Sequence, residues 1–384
     1  MQVLTFNFFL LSIMGVWKPR GWHGIKAALY YIYQTITIIL NHLCLLSLLL
    51  DLQFKNIELG DLIDNLALVF TIIIIRQKIV CIIGNRPGIT HILDSLKNSP
   101  FKLEDSKEEF IFSRFEKLAR NIITYYPLIY LSTLSVHSTG FISVMDPPYT
   151  LPYKGWFPYN YTRTTKTYWV TAVYQIYIVL TMGSINAISD ILLPCIICYM
   201  CGHIHILRYR FQVMAEKLRI MSKNNEPKDK IISTERKLMG DWVKYHIDIL
   251  NLVKFTNEIF SSVIFIQYTV SSLLLCTIAY LLSHMEPTTM RFAGNSAFLT
   301  AMFFEILLPC YCADKLTFEF LDISTGIYDT NWYHLSNNIR KSIVIILRKS
   351  YRPVTMTSGF FIVLSLESFT KVIKLAYTIY NVLE

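Results

Sequence analysis

Apolar residues in this chain come in long runs, separated by shorter polar stretches. Seven runs stand out, at about 28–50, 62–83, 121–144, 169–201, 256–282, 292–313 and 355–381. Each approaches or exceeds the roughly 20 residues that carry a helix across ~30 Å of hydrocarbon. Backbone polar groups inside lipid must be satisfied within the segment, so each run predicts a helix. The fourth run contains Asp190 and Pro194, which predict a bend there and a continuation into the cytoplasm. The second carries Arg76 and Lys78 toward one end, which we place at the headgroup boundary, snorkelling outward. The expected fold class is all-α, a polytopic membrane protein with one seven-helix domain over 1–384.

The polar stretches have a pattern of their own. Leu207, Phe211, Met214 and Leu218 recur at helical spacing among basic residues, so the fourth helix is expected to run on past the membrane. Asn224-Asn225-Glu226-Pro227 breaks it, and a new helix is expected from near Ser233 into the fifth span. Ile339, Ile343, Ile346 and Leu347 mark another apolar stripe, ending at Arg352-Pro353. Such stripes pack on each other within one chain or meet other subunits, and the two are not exclusive. The segment 145–168 is dense in proline and aromatics, among them Tyr149, Tyr153, Trp156, Phe157 and Tyr159. It reads either as an interfacial cap or as a lid over a cavity.

Composition supports the membrane reading. The 384 residues are 53% hydrophobic and 16% charged, against about 25% charged in a soluble domain. The net charge of +9 comes from basic residues in the loops, which suits anionic lipid headgroups. No nucleic-acid-binding motif accompanies it, so no nucleic acid is expected as a partner. Of the 36 lysines and arginines, 29 fall on the side of the N-terminus and 7 on the other. That bias puts the N-terminus in the cytoplasm and the C-terminus outside. The sole Asn-X-Ser/Thr sequon, at Asn160, lies in an outside loop on this map and is the candidate glycosylation site. Met1 to Gly15 lacks a basic start and a cleavage site, and reads as a retained short helix at the membrane surface.

All eight cysteines lie in or at the ends of apolar runs, so no disulfide in the outside loops is expected. Cys195, Cys198 and Cys201 share a helix face near His203 and His205, but small thiols are common in buried helices, and no metal or other cofactor is expected. No phosphate loop or nucleophile elbow suggests an enzyme. A G-protein-coupled receptor is disfavoured by the inverted orientation and the missing Asp-Arg-Tyr and Asn-Pro-x-x-Tyr motifs. A transporter is disfavoured by the lack of an inverted repeat.

The C-terminal third carries a specific succession. It reads Tyr311-Cys312-Ala313-Asp314-Lys315-Leu316, Ile327-Tyr328-Asp329-Thr330-Asn331-Trp332-Tyr333, Arg340-Lys341-Ser342, Pro353-Val354-Thr355-Met356-Thr357-Ser358-Gly359 and Leu364-Ser365-Leu366-Glu367-Ser368-Phe369, and closes near Ala376-Tyr377-Thr378. With Gly15-Val16-Trp17-Lys18-Pro19 and Leu151-Pro152-Tyr153, it resembles the insect odorant receptors from Gly15 to Leu383. The resemblance implies a ligand-gated, non-selective cation channel in the plasma membrane of a sensory neuron dendrite. A tuning subunit that binds a small volatile odorant assembles there with a shared co-receptor into a heterotetramer, anchored by its intracellular helices. The co-receptor has an extended second cytoplasmic loop. The segment 202–254 is short, so the chain resembles a tuning subunit. A gustatory-type receptor channel and a metabotropic seven-helix receptor are the alternatives.

The resemblance also implies where sites should lie. The seventh span would line the pore, with Ile373, Tyr377, Tyr380 and Glu384 on one stripe, Tyr380 and Leu383 as a dewetting gate, and Asn381 and Glu384 attracting cations. The competing role for the tyrosines is packing on neighbouring helices. Glu367 and Lys371, four residues apart, are placed to pair. Candidates for the ligand pocket are Leu66, Val69 and Phe70 from span two, His137, Gly140 and Phe141 from span three, Tyr177 and Thr181 from span four, and Phe298 and Met302 from span six. His137 is the polar candidate, and its alternative role is a core histidine bonded to a neighbouring helix. Ordinary bundle packing is the alternative for the rest.

Overall fold

Apolar runs that must close their own backbone hydrogen bonds form helices, and helices make up nearly all of this chain. The computed structural model describes residues 2–54, 59–143, 145–147, 149–330, 332–350, 354–359 and 361–383, and the side chains of these apart from 2, 3, 54, 59–61, 334, 379, 380, 382 and 383. The helices are α1 (Gln2–Ile13), α2 (Ile25–Phe54), α3 (Leu59–Gly84), α4 (Arg86–Ser95), α5 (Ser106–Ile142), α6 (Thr165–Asp190), α7 (Leu192–Lys223), α8 (Lys228–Ser283), α9 (Met290–Tyr328), α10 (Asn337–Ser350) and α11 (Leu366–Leu383). Among the described residues, five stretches of helix are long and apolar enough to cross a membrane: α2, α3, α6 with α7, α8 and α9. The third run falls on α5, and the seventh is only partly covered by α11.

Several helices outrun their apolar segments. α8 is one rod of 56 residues that starts at Lys228, ahead of the expected Ser233. Pro227 stands just before it, where a residue without an N–H costs nothing. α6 stops at Asp190 and α7 starts at Leu192, an interruption of one residue where the bend is expected, with Pro194 in the tolerant first turn of the new helix. Asn225 reverses the chain after α7 with φ 54°.

α5, α7 and α9 pack together, and α8 and α11 close the bundle around them. The apolar stripes predicted for the polar stretches turn inward. Leu207, Phe211, Met214 and Leu218 are all buried, as are Ile339 and Ile343 on α10. Trp242 on α8 donates from Nε1 to the Leu207 carbonyl at 2.8 Å, and Arg210 forks onto Glu108 at 2.7 and 3.0 Å. These stripes are therefore buried within one chain. Burial between Phe101, Phe112 and Tyr245, with Arg210 close by, holds His203 down to a pKa of about 3.

The seventh helix starts later than its apolar run. It begins at Leu366, and a short antiparallel pair, β1 (Thr357–Ser358) and β2 (Ile362–Val363), precedes it. Asn257 on α8 binds this hairpin with both ends of its amide, at Thr357 N and Oγ1. Gly359 turns it at φ +57°, where a side chain would strike Phe265. The threonines here favour a strand over a helix.

Candidate functional site

A cavity opens in the bundle between α2, α3, α5, α6 and α9. Aliphatic side chains line one part of it: Leu48, Leu68, Ile72, Ile75, Leu134, Ile178, Val179 and Met182. Aromatic ones line another: Tyr130, His137, Tyr153, Phe157, Tyr174 and Phe298. A mostly apolar wall with a few fixed polar groups suits a small organic ligand.

The segment between α5 and α6 closes one end. Tyr153, 3% exposed, and Phe157 reach the cavity wall, while Trp156 and Tyr159 face outward. Gln175 ties the closure to α6, accepting from Tyr153 N at 3.3 Å and donating to Tyr153 O at 2.7 Å. Ser47 ties it to α2, donating to Trp156 O at 2.7 Å and accepting from Trp156 N with its own carbonyl at 3.0 Å. The same segment thus covers the cavity and presents an aromatic outer surface.

Of the residues expected in the pocket, His137 and Phe298 meet at the wall, their rings stacked at 5.0 Å. His137 also turns Nδ1 to the Gly294 carbonyl of α9 at 3.3 Å, so a residue on the cavity wall is at the same time bonded to a neighbouring helix. Behind the wall, Phe141 meets His137 edge to face at 4.8 Å and stacks on Tyr153 at 5.0 Å. Gly140 sits at the closest approach of α5 and α9. Leu66, Val69 and Phe70 lie off the cavity, where Leu68, Thr71, Ile72 and Ile75 of the same helix reach it. Tyr177 is exposed on the outer face of α6 and Thr181 bonds back to it at 2.8 Å, whereas Tyr174, Gln175, Ile178 and Met182 face in. Met302 is buried elsewhere, and Ala301 takes the wall position.

Beneath the cavity is a feature that the sequence reading missed. Lys78 does not snorkel. It is 3% exposed, and its ammonium lies 2.5 Å from Asp190, 2.9 Å from Glu305 and 2.7 Å from the Asn186 amide oxygen. Tyr126 donates to the second Asp190 oxygen at 3.2 Å, and Gln267 reaches Asp190 at 3.3 Å. The cluster joins α3, α5, α6, α8 and α9. A cation in hydrocarbon is stable only when paired and hydrogen-bonded. The signal for it was the coincidence of Lys78, Asp190 and Glu305 inside apolar runs.

On α11, Ile373 packs toward the bundle, while Tyr377 and Asn381 are exposed. Lys371 and Glu367 pair at 2.8 Å on the surface. The side chains of Tyr380 and Leu383, and Glu384 altogether, lie outside the described residues. Asn160 is exposed and caps a single turn, its oxygen accepting from Thr162 N at 3.0 Å and Thr162 Oγ1 at 2.7 Å. All eight cysteines are free and buried. Cys195 turns to the Ala119 carbonyl and His205 to Glu319.

Comparison with known proteins adds a family. A family model described as 7tm Odorant receptor matches residues 58–377. Odorant receptor 2a of Drosophila melanogaster is 22% identical over all of this chain and 96% of its own length. Odorant receptor Or1 of Anopheles gambiae is 21% identical over 97% of this chain and 93% of its own. The solved structure of the olfactory receptor OR5 from Machilis hrabei in complex with eugenol superposes with a TM-score of 0.84 at 16% identity, covering 100% of this chain and 97% of that one.

Proposed function

The chain belongs to the 7tm odorant receptor family, a family of receptors rather than enzymes, and on that premise we propose that it is the ligand-binding tuning subunit of an odorant-gated, non-selective cation channel. The cavity closed by Tyr153 and Phe157 carries this reading. It is mainly apolar and walled by five helices, so a small volatile bound there touches most of the bundle. A ligand that binds the open and closed arrangements unequally shifts their balance. The eugenol in the Machilis receptor supports a small-molecule ligand.

Assembly with a co-receptor has support in apolar side chains exposed outside the apolar runs. Phe318 and Tyr328 on α9 and Val344 and Ile345 on α10 are exposed on the parts that extend beyond the apolar runs. Large exposed apolar patches mark subunit contacts. Tyr377 and Asn381, exposed on α11, are the described residues that would face a central pore. The charge bias and the accessible Asn160 support a cytoplasmic N-terminus in a plasma membrane.

Voltage-clamp recording of cells expressing this chain with and without an insect odorant co-receptor, under a panel of volatiles, tests the proposal. Odorant-evoked cation current with a reversal potential near zero, seen only with both chains, is the expected result. Current from this chain alone would remove the tuning-subunit role. A response carried by second messengers without current would remove the channel.

A further inference from the structure

Lys78 sets the direction of the hydrogen bonds at one end of the cavity. An ammonium only donates, so the Asn186 atom 2.7 Å from Lys78 Nζ is the amide oxygen. The amide nitrogen then donates to the Tyr130 hydroxyl at 2.9 Å and to Glu305 at 3.3 Å. The Tyr130 oxygen is thereby an acceptor, and its own proton is directed elsewhere. Tyr130 lines the cavity. The hydroxyls of Ser47, Thr71, Thr133, Tyr153 and Tyr174 and the Gln175 amide also line it, and each already donates to a protein oxygen. His137 turns Nδ1 to the Gly294 carbonyl, so its neutral ring offers Nε2 as an acceptor. Apart from the weak Cys44 thiol and the second N–H of Gln175, the side-chain donor left for a ligand is Tyr130.

We infer that Tyr130 is the specificity residue of this cavity, donating a hydrogen bond to a ligand whose apolar body carries an acceptor oxygen, of the ketone, aldehyde or ester class. The inference rests on the cavity being the ligand site. Accepting from Asn186, itself bound to Lys78, polarises the hydroxyl toward donation.

The test uses the purified full chain in nanodiscs, with empty nanodiscs subtracted. Displacement of the fluorescent probe N-phenyl-1-naphthylamine is measured for two matched pairs, acetophenone with α-methylstyrene and 2-heptanone with 2-methyl-1-heptene. Tyr130→Phe is expected to lower the ketone-to-hydrocarbon potency ratio about tenfold. Tyr126→Phe, which loses a bond to Asp190 without facing the cavity, is expected to leave the ratio unchanged. An unaltered ratio in Tyr130→Phe, or the same fall in Tyr126→Phe, overturns the inference. The infrared carbonyl band of acetophenone bound to the wild-type protein gives a reading free of any folding defect. It is expected below its position in cyclohexane, and an unshifted band overturns the inference. A probe neither bound nor displaced would overturn the cavity reading and this one together. A Tyr130-dependent ratio in a chain that passes no current would overturn the channel alone.

Discussion

The Lys78 ammonium lies 2.5 Å from the Asp190 carboxylate, with the two side chains 3% and 4% exposed. Both belong to apolar runs, and Glu305 completes the group from a third. Taking away the cation leaves two carboxylates in the bundle without a counter-charge, at a cost of about 3–5 kcal/mol. Lys78→Met should lower the melting temperature in detergent and reduce delivery to the cell surface. Adding Asp190→Asn and Glu305→Gln should recover most of the loss. Thermal unfolding followed by size-exclusion chromatography measures both.

The contact of α5 with α9 depends on the absence of a side chain. A Cβ on Gly140 would stand 2.8 Å from the Met290 carbonyl oxygen, and one on Gly294 would stand 3.2 Å from the His137 backbone. Gly140→Ala should push the helices apart and disturb the stacked His137 and Phe298, destabilising the protein by about 1–3 kcal/mol. The same thermal assay reads it, and an unchanged melting temperature would refute it.

Gln175 satisfies the backbone of Tyr153 on both sides. Gln175→Leu leaves that N–H and C=O buried and unpaired, costing about 1–3 kcal/mol. The closing segment should then detach more often. Decay of the odorant current after washout is expected to quicken several-fold, with a smaller effect on the peak current.

Acid should loosen the part of the bundle beyond the apolar runs. His203 is held at about 3 by burial, with the Arg210 charge adding to it, against an ordinary 6.5. The folded pKa is the lower one, so the folded state binds fewer protons between the two values. The stability contribution is complete above pH 6.5 and is lost progressively as pH falls toward 3. At pH 5 the loss is about 2 kcal/mol. The melting temperature should fall between pH 7 and pH 5, and His203→Gln should flatten that slope.

Asn160 stands exposed at the start of its turn. If the outside loop faces the lumen during synthesis, glycosidase treatment should shift the protein on a gel, and Asn160→Gln should abolish the shift. A cytoplasmic loop would carry no glycan.

Helices and their rough limits were legible because apolar runs have one solution in lipid. The stripe from Leu207 to Leu218 was legible too, since polar residues alternate with apolar ones and mark the inner face. The faces of the membrane helices were not. Leu66, Val69 and Phe70 are as apolar as Leu68, Ile72 and Ile75, so nothing in the run says which side turns to the cavity. The same holds for Tyr177 against Tyr174.

What the sequence by itself determined was the class of fold, the helix interruption after Asp190 and the resemblance carried by its C-terminal third. Tertiary structure decided the rest, because rotation about a uniformly apolar helix is set by its neighbours and not by its own pattern. Lys78 shows this most sharply. Its place in the chain is compatible with the headgroups, and only the arrival of Asp190 and Glu305 from two other helices makes the interior the better solvent for its charge.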